Sequence, residues 1–257
     1  MELTLQTFLI VCPLIFLSAF VDSIVGGGGL ISIPAYLMAG LPAHLASGTN
    51  KVVSGTGAII ASAKYLRNGT VKLRPTLTAA AFALLGSALG TKLATFFSEA
   101  FFQTLLLLVL PCVAIFLSVR KDFGKESDEP RSDISPKKEL LVSALIGLVF
   151  GCYDGLVGPG TGTFMLMSFT AFLSMDLLSS AGCARIANLA SNVASAVVWA
   201  LHGEVLWKLA AVAVVFSILG NYCGARYAIR GGSKNIRVMI FVVLGLLFVK
   251  MGYELLF

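Results

Sequence analysis

Four charged side chains lie inside long apolar stretches of the sequence: Asp22, Lys51, Asp154 and Arg185. If such stretches cross a bilayer, each charge costs at least about 2.5 kcal/mol to insert, so each requires a partner or a function. The two cations are suited to binding an anion, whereas the two aspartates are candidates for ion pairs or for proton coupling. An alternative stays open, in which the cations only neutralise the aspartates and fix the surrounding helices.

Hydroxyl and amide side chains accompany both cations. Several of them stand three or four residues from the cation or from each other, a spacing that places side chains on one face of a helix. Such groups can orient an oxyanion by donating hydrogen bonds to it. The predicted substrate-binding residues are Thr49, Asn50, Lys51 and Ser54 in the first half of the chain and Arg185, Asn188, Ser191 and Asn192 in the second.

Two glycine-rich segments interrupt the apolar stretches. Residues 26–29 are four consecutive glycines, and residues 158–162 read Gly-Pro-Gly-Thr-Gly. No continuous helix is expected through either segment. A helix that begins there points its N-terminal N–H groups and its positive dipole end into the membrane, where an anion can accept hydrogen bonds. The predicted substrate contacts in these breaks are Gly27, Gly28, Gly160 and Thr161.

The composition indicates an integral membrane protein. Of the 257 residues, 57% are hydrophobic and 12% are charged, and the mean hydropathy is +0.91. A soluble protein has about 25% charged residues, so a cytosolic enzyme, a secreted disulfide scaffold and a disordered chain are excluded. The net charge of +6 is attributed to basic residues in cytoplasmic loops and is not interpreted as a sign of nucleic-acid binding. The expected partners are the lipid bilayer and a small anion, with no cofactor or metal.

Eight stretches are long and apolar enough for spanning helices, which need about 20 mainly apolar residues. Two shorter pieces, residues 30–39 and 163–173, follow the glycine-rich breaks. Whether the segments after each break cross the membrane fully or form re-entrant hairpins stays open. The expected spans are residues 3–21, 43–66, 75–97, 101–119, 140–153, 184–201, 205–227 and 236–257.

The two halves of the chain repeat one pattern. Asp22 and Asp154 begin matching Asp-x-x-Val-Gly sequences that are 132 residues apart. From residue 48 onward the matching positions are 134 residues apart, which pairs Lys51 with Arg185. GxxxG sequences at residues 86–90 and 220–224 also match, and we interpret them as helix-packing sites.

This repetition predicts an all-α polytopic membrane protein built from two repeats of about five hydrophobic segments each. The repeats are residues 1–119 and 140–257, joined by a hydrophilic linker at residues 120–139. The basic residues predict that the repeats are inverted, because they stand one loop later in the second repeat than in the first. The linker is then cytoplasmic and both termini are outside. Inverted repeats that meet near the membrane midplane are common in transporters.

These motifs resemble a known family. Residues 20–34, with Asp22 and four glycines, and Gly-Thr-Asn-Lys at residues 48–51 resemble the first-repeat signature of the sulfite exporter TauE/SafE family. Residues 151–162 and 187–192 resemble its second signature, although Arg185 stands where a lysine-containing version is usual. The resemblance implies a multi-pass carrier of the bacterial inner membrane. It also implies transport of sulfite, sulfonates or related organosulfur anions, often outward, and not enzymatic activity.

Two other functions are alternatives to transport. An intramembrane aspartyl protease also places two aspartates in a membrane, but such enzymes use a Gly-x-Gly-Asp motif that is absent from this sequence. The matching contexts of Asp22 and Asp154 instead fit duplication. An anion channel would use the same cations, and saturating flux distinguishes a carrier from it.

Overall fold

The fold is helical throughout the described part of the chain. The computed structural model describes residues 4–119 and 134–256, with side chains at residues 4–113 and 134–240, and no strand occurs in these ranges. The helices are α1 (Leu5–Val25), α2 (Gly29–Met38), α3 (Ala43–Arg67), α4 (Leu73–Ala94), α5 (Glu99–Val119), α6 (Pro136–Leu156), α7 (Thr161–Leu173), α8 (Leu177–Leu201) and α9 (Trp207–Leu256).

Both predicted helix breaks are confirmed. Helix α1 ends at Gly26 with φ of 78°, and Gly27 has φ of 82°. In the second half, Gly158 and Gly160 have φ of 99° and 85° between α6 and α7. Residues with a Cβ atom rarely adopt these left-handed backbone angles. Glycine at these positions therefore allows the chain to end one helix and begin another.

The long apolar helices are those of a multi-pass membrane protein. Four are long and apolar enough to cross a bilayer: Leu5–Val25, Leu73–Ala94, Pro136–Leu156 and Trp207–Ile240. The spans predicted at residues 205–227 and 236–257 both lie in α9, which has a non-helical bend at Gly232 (φ 56°, ψ −147°). Of the predicted linker, residues 120–133 lie outside the described ranges, and α6 already begins at Pro136.

Glycines bring α4 and α6 into backbone contact. A methyl group added at Gly86 would lie 2.3 Å from the carbonyl oxygen of Leu148, and one at Gly90 would lie 2.0 Å from that of Cys152. The packing role predicted for this GxxxG sequence is therefore confirmed. Helix α6 contributes a second glycine row, whose successive members face successive turns of α4, so the two helices run parallel. These contacts join Gly147 to Ala79, Gly151 to Ala83 and Gly155 to Ser87.

The other GxxxG sequence, at residues 220–224, brings α9 into contact with α1. A methyl group at Gly220 would lie 2.4 Å from the carbonyl oxygen of Phe16, and one at Gly224 would lie 2.3 Å from that of Phe20. These helices also run parallel, because both contacts advance by four residues. Both contacts join one half of the chain to the other. Helix α1 of the first half packs on α9 of the second, and α6 of the second half packs on α4 of the first.

The central helices α3 and α8 run antiparallel. Gly48 near the start of α3 faces the backbone of Glu204, just beyond the end of α8, and Gly182 near the start of α8 faces Tyr65 near the end of α3. Helix α8 runs parallel to α4, since Ser87 donates to the Ser191 carbonyl and Thr91 donates to the Ser195 hydroxyl. The helices that carry Lys51 and Arg185 thus run in opposite directions.

Replacing Gly90 with alanine tests the close packing of α4 on α6. The added methyl group would overlap the Cys152 carbonyl oxygen, so we expect a loss of about 1–3 kcal/mol of stability, as overpacking typically costs. The measurement is the thermal unfolding midpoint of the purified protein in detergent. The matched control is Leu89→Ala on the same helix, because Leu89 is 63% exposed. Equal midpoints for the two variants would contradict the contact.

Candidate functional site

Lys51 forms a buried ion pair with the aspartate of the opposite half. Its Nζ lies 2.7 Å from Oδ2 of Asp154, and the two side chains are 6% and 3% exposed. Ser191 donates a second bond to the same carboxylate oxygen. In the part of the chain that the structure describes, this carboxylate is the one partner of the Lys51 ammonium group. Two of its three donor positions therefore remain for a ligand.

Arg185 forms the reciprocal ion pair with Asp22. Its Nη1 donates to the Asp22 carboxylate and, at 3.3 Å, to the Asp22 carbonyl oxygen. Its Nη2 donates to Oδ1 of Asn221 at 3.0 Å. Within the described residues, Nε of Arg185 is buried without a partner. This guanidinium group is therefore more firmly fixed than the Lys51 ammonium group.

Asp22 also organises the first helix break. Its Oδ1 accepts a hydrogen bond from the N–H of Gly28 at 3.0 Å, and the Ser18 hydroxyl donates to the Gly28 carbonyl at 2.7 Å. A methyl group added at Gly26 would lie 2.3 Å from the carbonyl carbon of Gly162. The breaks of the two halves are thus in direct backbone contact, beside both ion pairs.

A polar cavity lies between the two breaks; we call it the Lys51 cavity. Its walls combine a cation, two carboxylates, amide and hydroxyl groups, and the backbone at the start of α7. Both aspartate candidates, Asp22 and Asp154, line it. The predicted substrate-binding residues that line it are Lys51, Asn50, Ser54, Asn188, Asn192, Gly27, Gly160 and Thr161.

Four predicted substrate-binding residues lie outside this cavity. Thr49 is fully buried and accepts a hydrogen bond from the N–H of Leu206 at 2.9 Å, so its hydroxyl joins α3 to the start of α9. Ser191 is directed to Asp154, and Gly28 is bonded to Asp22. Arg185 lies beside a separate, smaller cavity.

Ser47 belongs to the site although sequence reasoning did not single it out. It lines the Lys51 cavity one helical turn before Lys51 and is 4% exposed. Among the described residues, its hydroxyl has no hydrogen-bond partner. A buried hydroxyl without a partner costs free energy, which a bound hydrogen-bond acceptor would recover. The spacing of four residues from Lys51 was the available signal.

The site carries a balanced set of charges and no metal-binding cluster. Within the described residues, no group of three or more His, Cys, Asp or Glu side chains could hold a metal ion. Each aspartate has a cation as its partner. This differs from a protease dyad, in which two carboxylates share a proton. The arrangement can bind a small anion at Lys51 while the neighbouring amide and hydroxyl groups orient it.

Comparison with known proteins identifies the family. Residues 11–251 match the sulfite exporter TauE/SafE family. The chain belongs to this family. A probable membrane transporter protein of Haemophilus influenzae is 36% identical over 239 residues, which cover 93% of this chain and 92% of the relative. Family membership and this relative identify a membrane transporter.

Two further relatives are similar over most of their length. Probable membrane transporter protein ORF9 of a Sinorhizobium species is 33% identical, covering 89% of this chain and 85% of the relative. Probable membrane transporter protein YfcA of Escherichia coli is 29% identical, covering 93% and 87%. No solved structure matches the chain.

The coupling energy between Lys51 and Asp154 can be measured from the stabilities of variants of these two residues. Lys51→Met leaves Asp154 as a buried unpaired charge, so we expect a loss of about 3–5 kcal/mol. The double variant Lys51→Met/Asp154→Leu removes both charges, and we expect it to recover most of this loss. The measurement is the thermal unfolding midpoint in detergent. A loss in the double variant equal to the sum of the losses in Lys51→Met and Asp154→Leu would show that the pair is not coupled.

Proposed function

We propose that the protein is a secondary transporter of the bacterial inner membrane that exports small sulfur-containing anions, such as sulfite or sulfonates. The observation that carries this proposal is the Lys51 ammonium group, buried in a polar cavity with Asp154 as its only partner within the described residues. A buried charge with unused donors is expensive in a membrane and is a functional site by default. The family description, sulfite exporter, supports the substrate class.

We further propose that the two halves are inverted repeats. The antiparallel contact of α3 with α8 supports this, since these helices carry the equivalent residues Lys51 and Arg185. The exchange of partners, α1 with α9 and α6 with α4, also supports it. Each ion pair then joins one repeat to the other, and the substrate lies between them.

The basic residues support the predicted orientation. Helix α3 runs parallel to the first part of α9, because Thr49 contacts Leu206 and Gly57 faces Asn221. The basic end of α3 therefore lies at the same end of the bundle as the basic region near the bend of α9. Lys64 of α3 lies over the ring of Tyr222 in α9, 3.6 Å from its centroid. We assign this end to the cytoplasm.

In the proposed mechanism, the substrate replaces Asp154 as the anionic partner of the Lys51 ammonium group. A sulfur oxyanion that enters the Lys51 cavity competes with Asp154 for the ammonium group. Ser47 and Asn50 lie in the same cavity and can donate hydrogen bonds to the oxyanion. Asp154 keeps the bond from Ser191 and is the candidate for an accompanying proton. When the anion moves without a proton, the transfer of one negative charge out of a negative interior releases about 2.3 kcal/mol per 100 mV, so export of the anion alone is favoured.

The decisive experiment is sulfite flux in proteoliposomes. Lys51→Ala removes the proposed anion contact, and a charge-assisted hydrogen bond contributes about 1.5–3 kcal/mol, so we expect sulfite flux at limiting substrate to fall roughly tenfold or more. The matched control is Lys64→Ala on the same helix, which removes a cation outside the cavity. Saturation with sulfite concentration distinguishes a carrier from a channel.

Flux of sulfoacetate, taurine and sulfate in the same vesicles defines the substrate class. If folded wild-type protein, checked by its unfolding midpoint, transports none of these sulfur compounds, the proposed function is contradicted. Unchanged sulfite flux in Lys51→Ala would leave transport intact but assign Lys51 to the neutralisation of Asp154.

Ser47 provides a finer test of the cavity. Ser47→Ala removes one neutral donor, whose net value is about 0.5–1.5 kcal/mol, so we expect KM for sulfite to rise roughly two- to tenfold. Ser62→Ala is the control, because Ser62 is another buried α3 hydroxyl without a partner among the described residues but lies outside the cavity. The same change of KM in both variants would assign the effect to helix stability.

A further inference from the structure

A second, smaller cavity lies beside Arg185. It shares Asp22, Gly162 and Asn188 with the Lys51 cavity, so the two cavities adjoin at the glycine breaks. The Nε atom of Arg185 is buried there without a partner among the described residues. We call this second space the Arg185 cavity.

The repeat relates the two cavities. At the breaks, Asp22 and Gly26 line the Arg185 cavity, and their equivalents Asp154 and Gly158 line the Lys51 cavity. Residues on the central helices correspond in the same way. Ser47, Asn50, Lys51 and Ser54 of α3 line the larger cavity, and the residues 134 positions later, Ala181, Ala184, Arg185 and Asn188 of α8, line the smaller one.

The two cavities are displaced toward opposite ends of the bundle. The Lys51 cavity is lined by the first half of α3, and the Arg185 cavity by the first half of α8. Because α3 and α8 run antiparallel, these first halves lie toward opposite ends. The basic end of α3 is the proposed cytoplasmic end, so the Arg185 cavity lies on the cytoplasmic side and the Lys51 cavity on the external side.

We propose that the Arg185 cavity is a second anion-binding half-site, which receives the substrate from the cytoplasm before it passes to Lys51. This inference rests on the proposed transport function and on the inverted arrangement. Its ligand is the same small oxyanion, held by the guanidinium group of Arg185 in competition with Asp22. In the described conformation the external half-site has the larger volume, and the conformational change that opens Arg185 to the cytoplasm closes the cavity around Lys51.

The walls of the half-sites differ in polarity. Alanines at residues 181 and 184 replace the hydroxyl of Ser47 and the amide of Asn50. The cytoplasmic half-site therefore has fewer neutral donors for the anion and more apolar surface. It suits an oxyanion that is bound chiefly by charge, whereas the external half-site adds hydrogen bonds.

Cysteine labelling tests the inference without requiring that the substrate be known. In a background in which the five native cysteines are replaced, Ser47→Cys and Ala181→Cys place a thiol at equivalent positions in the two cavities. We expect a membrane-impermeant methanethiosulfonate to modify Ser47→Cys from the external side and Ala181→Cys from the cytoplasmic side. Oriented vesicles of each sidedness provide the measurement. Asn50→Cys and Ala184→Cys form a second equivalent pair if either first variant fails to fold.

The control pair is Ala61→Cys and Ser195→Cys, which are also 134 residues apart, fully buried and outside both cavities. We expect labelling at least tenfold slower at these positions. Modification of both cavity positions from the same side, or of residue 181 from neither side, would overturn the inference.

The labelling result is independent of the flux result. Labelling from opposite sides without sulfite flux would reject the proposed substrate and retain the two half-sites. Sulfite flux combined with same-side labelling would retain the transporter and reject the second half-site.

Discussion

Two ion pairs, each joining a cation of one half to an aspartate of the other, constrain the centre of this protein. Isolated, any of these four charges would cost several kcal/mol in the hydrocarbon region. Pairing within each half would also neutralise them, but it would leave the halves independent. The observed pairs are Lys51 with Asp154 and Arg185 with Asp22. Each half therefore contributes the cation of one pair and the aspartate of the other. The breaks, the cavities and the central helices are therefore held in one arrangement.

Close backbone contacts at glycines hold the helices around these ion pairs together. In a bilayer, lipid is as apolar as leucine, so helices associate through close van der Waals packing and small interfacial residues. Glycines on α4 and α6 bring the two backbones together, and those on α9 do the same against α1. Helices that are fixed at these outer contacts leave the irregular backbone of the breaks to line polar space in the centre, where membrane-depth loops are tolerated.

The sequence predicted the helix breaks and singled out the four charged residues that form the two ion pairs, because glycine and charge act locally along the chain. It could not predict which aspartate pairs with which cation, since that depends on the packing of distant helices. Thr49 illustrates the limit: it stands in the same motif as Lys51, yet its position on the helix turns it toward Leu206 and away from the cavity. Ser47 shows the converse, a residue outside the motif that shares a face with Lys51.

The two ion pairs have different surroundings. Ser191 donates to Asp154, but its equivalent in the first half is Gly57, so Asp22 receives no such hydroxyl. Asn221 accepts from Arg185, but its equivalent is Ser87, which donates to a backbone carbonyl instead. Arg185 is thus bound on two sides, whereas Lys51 keeps unused donors within the described part of the chain. An anion can therefore approach Lys51 with less rearrangement of existing bonds than it can approach Arg185.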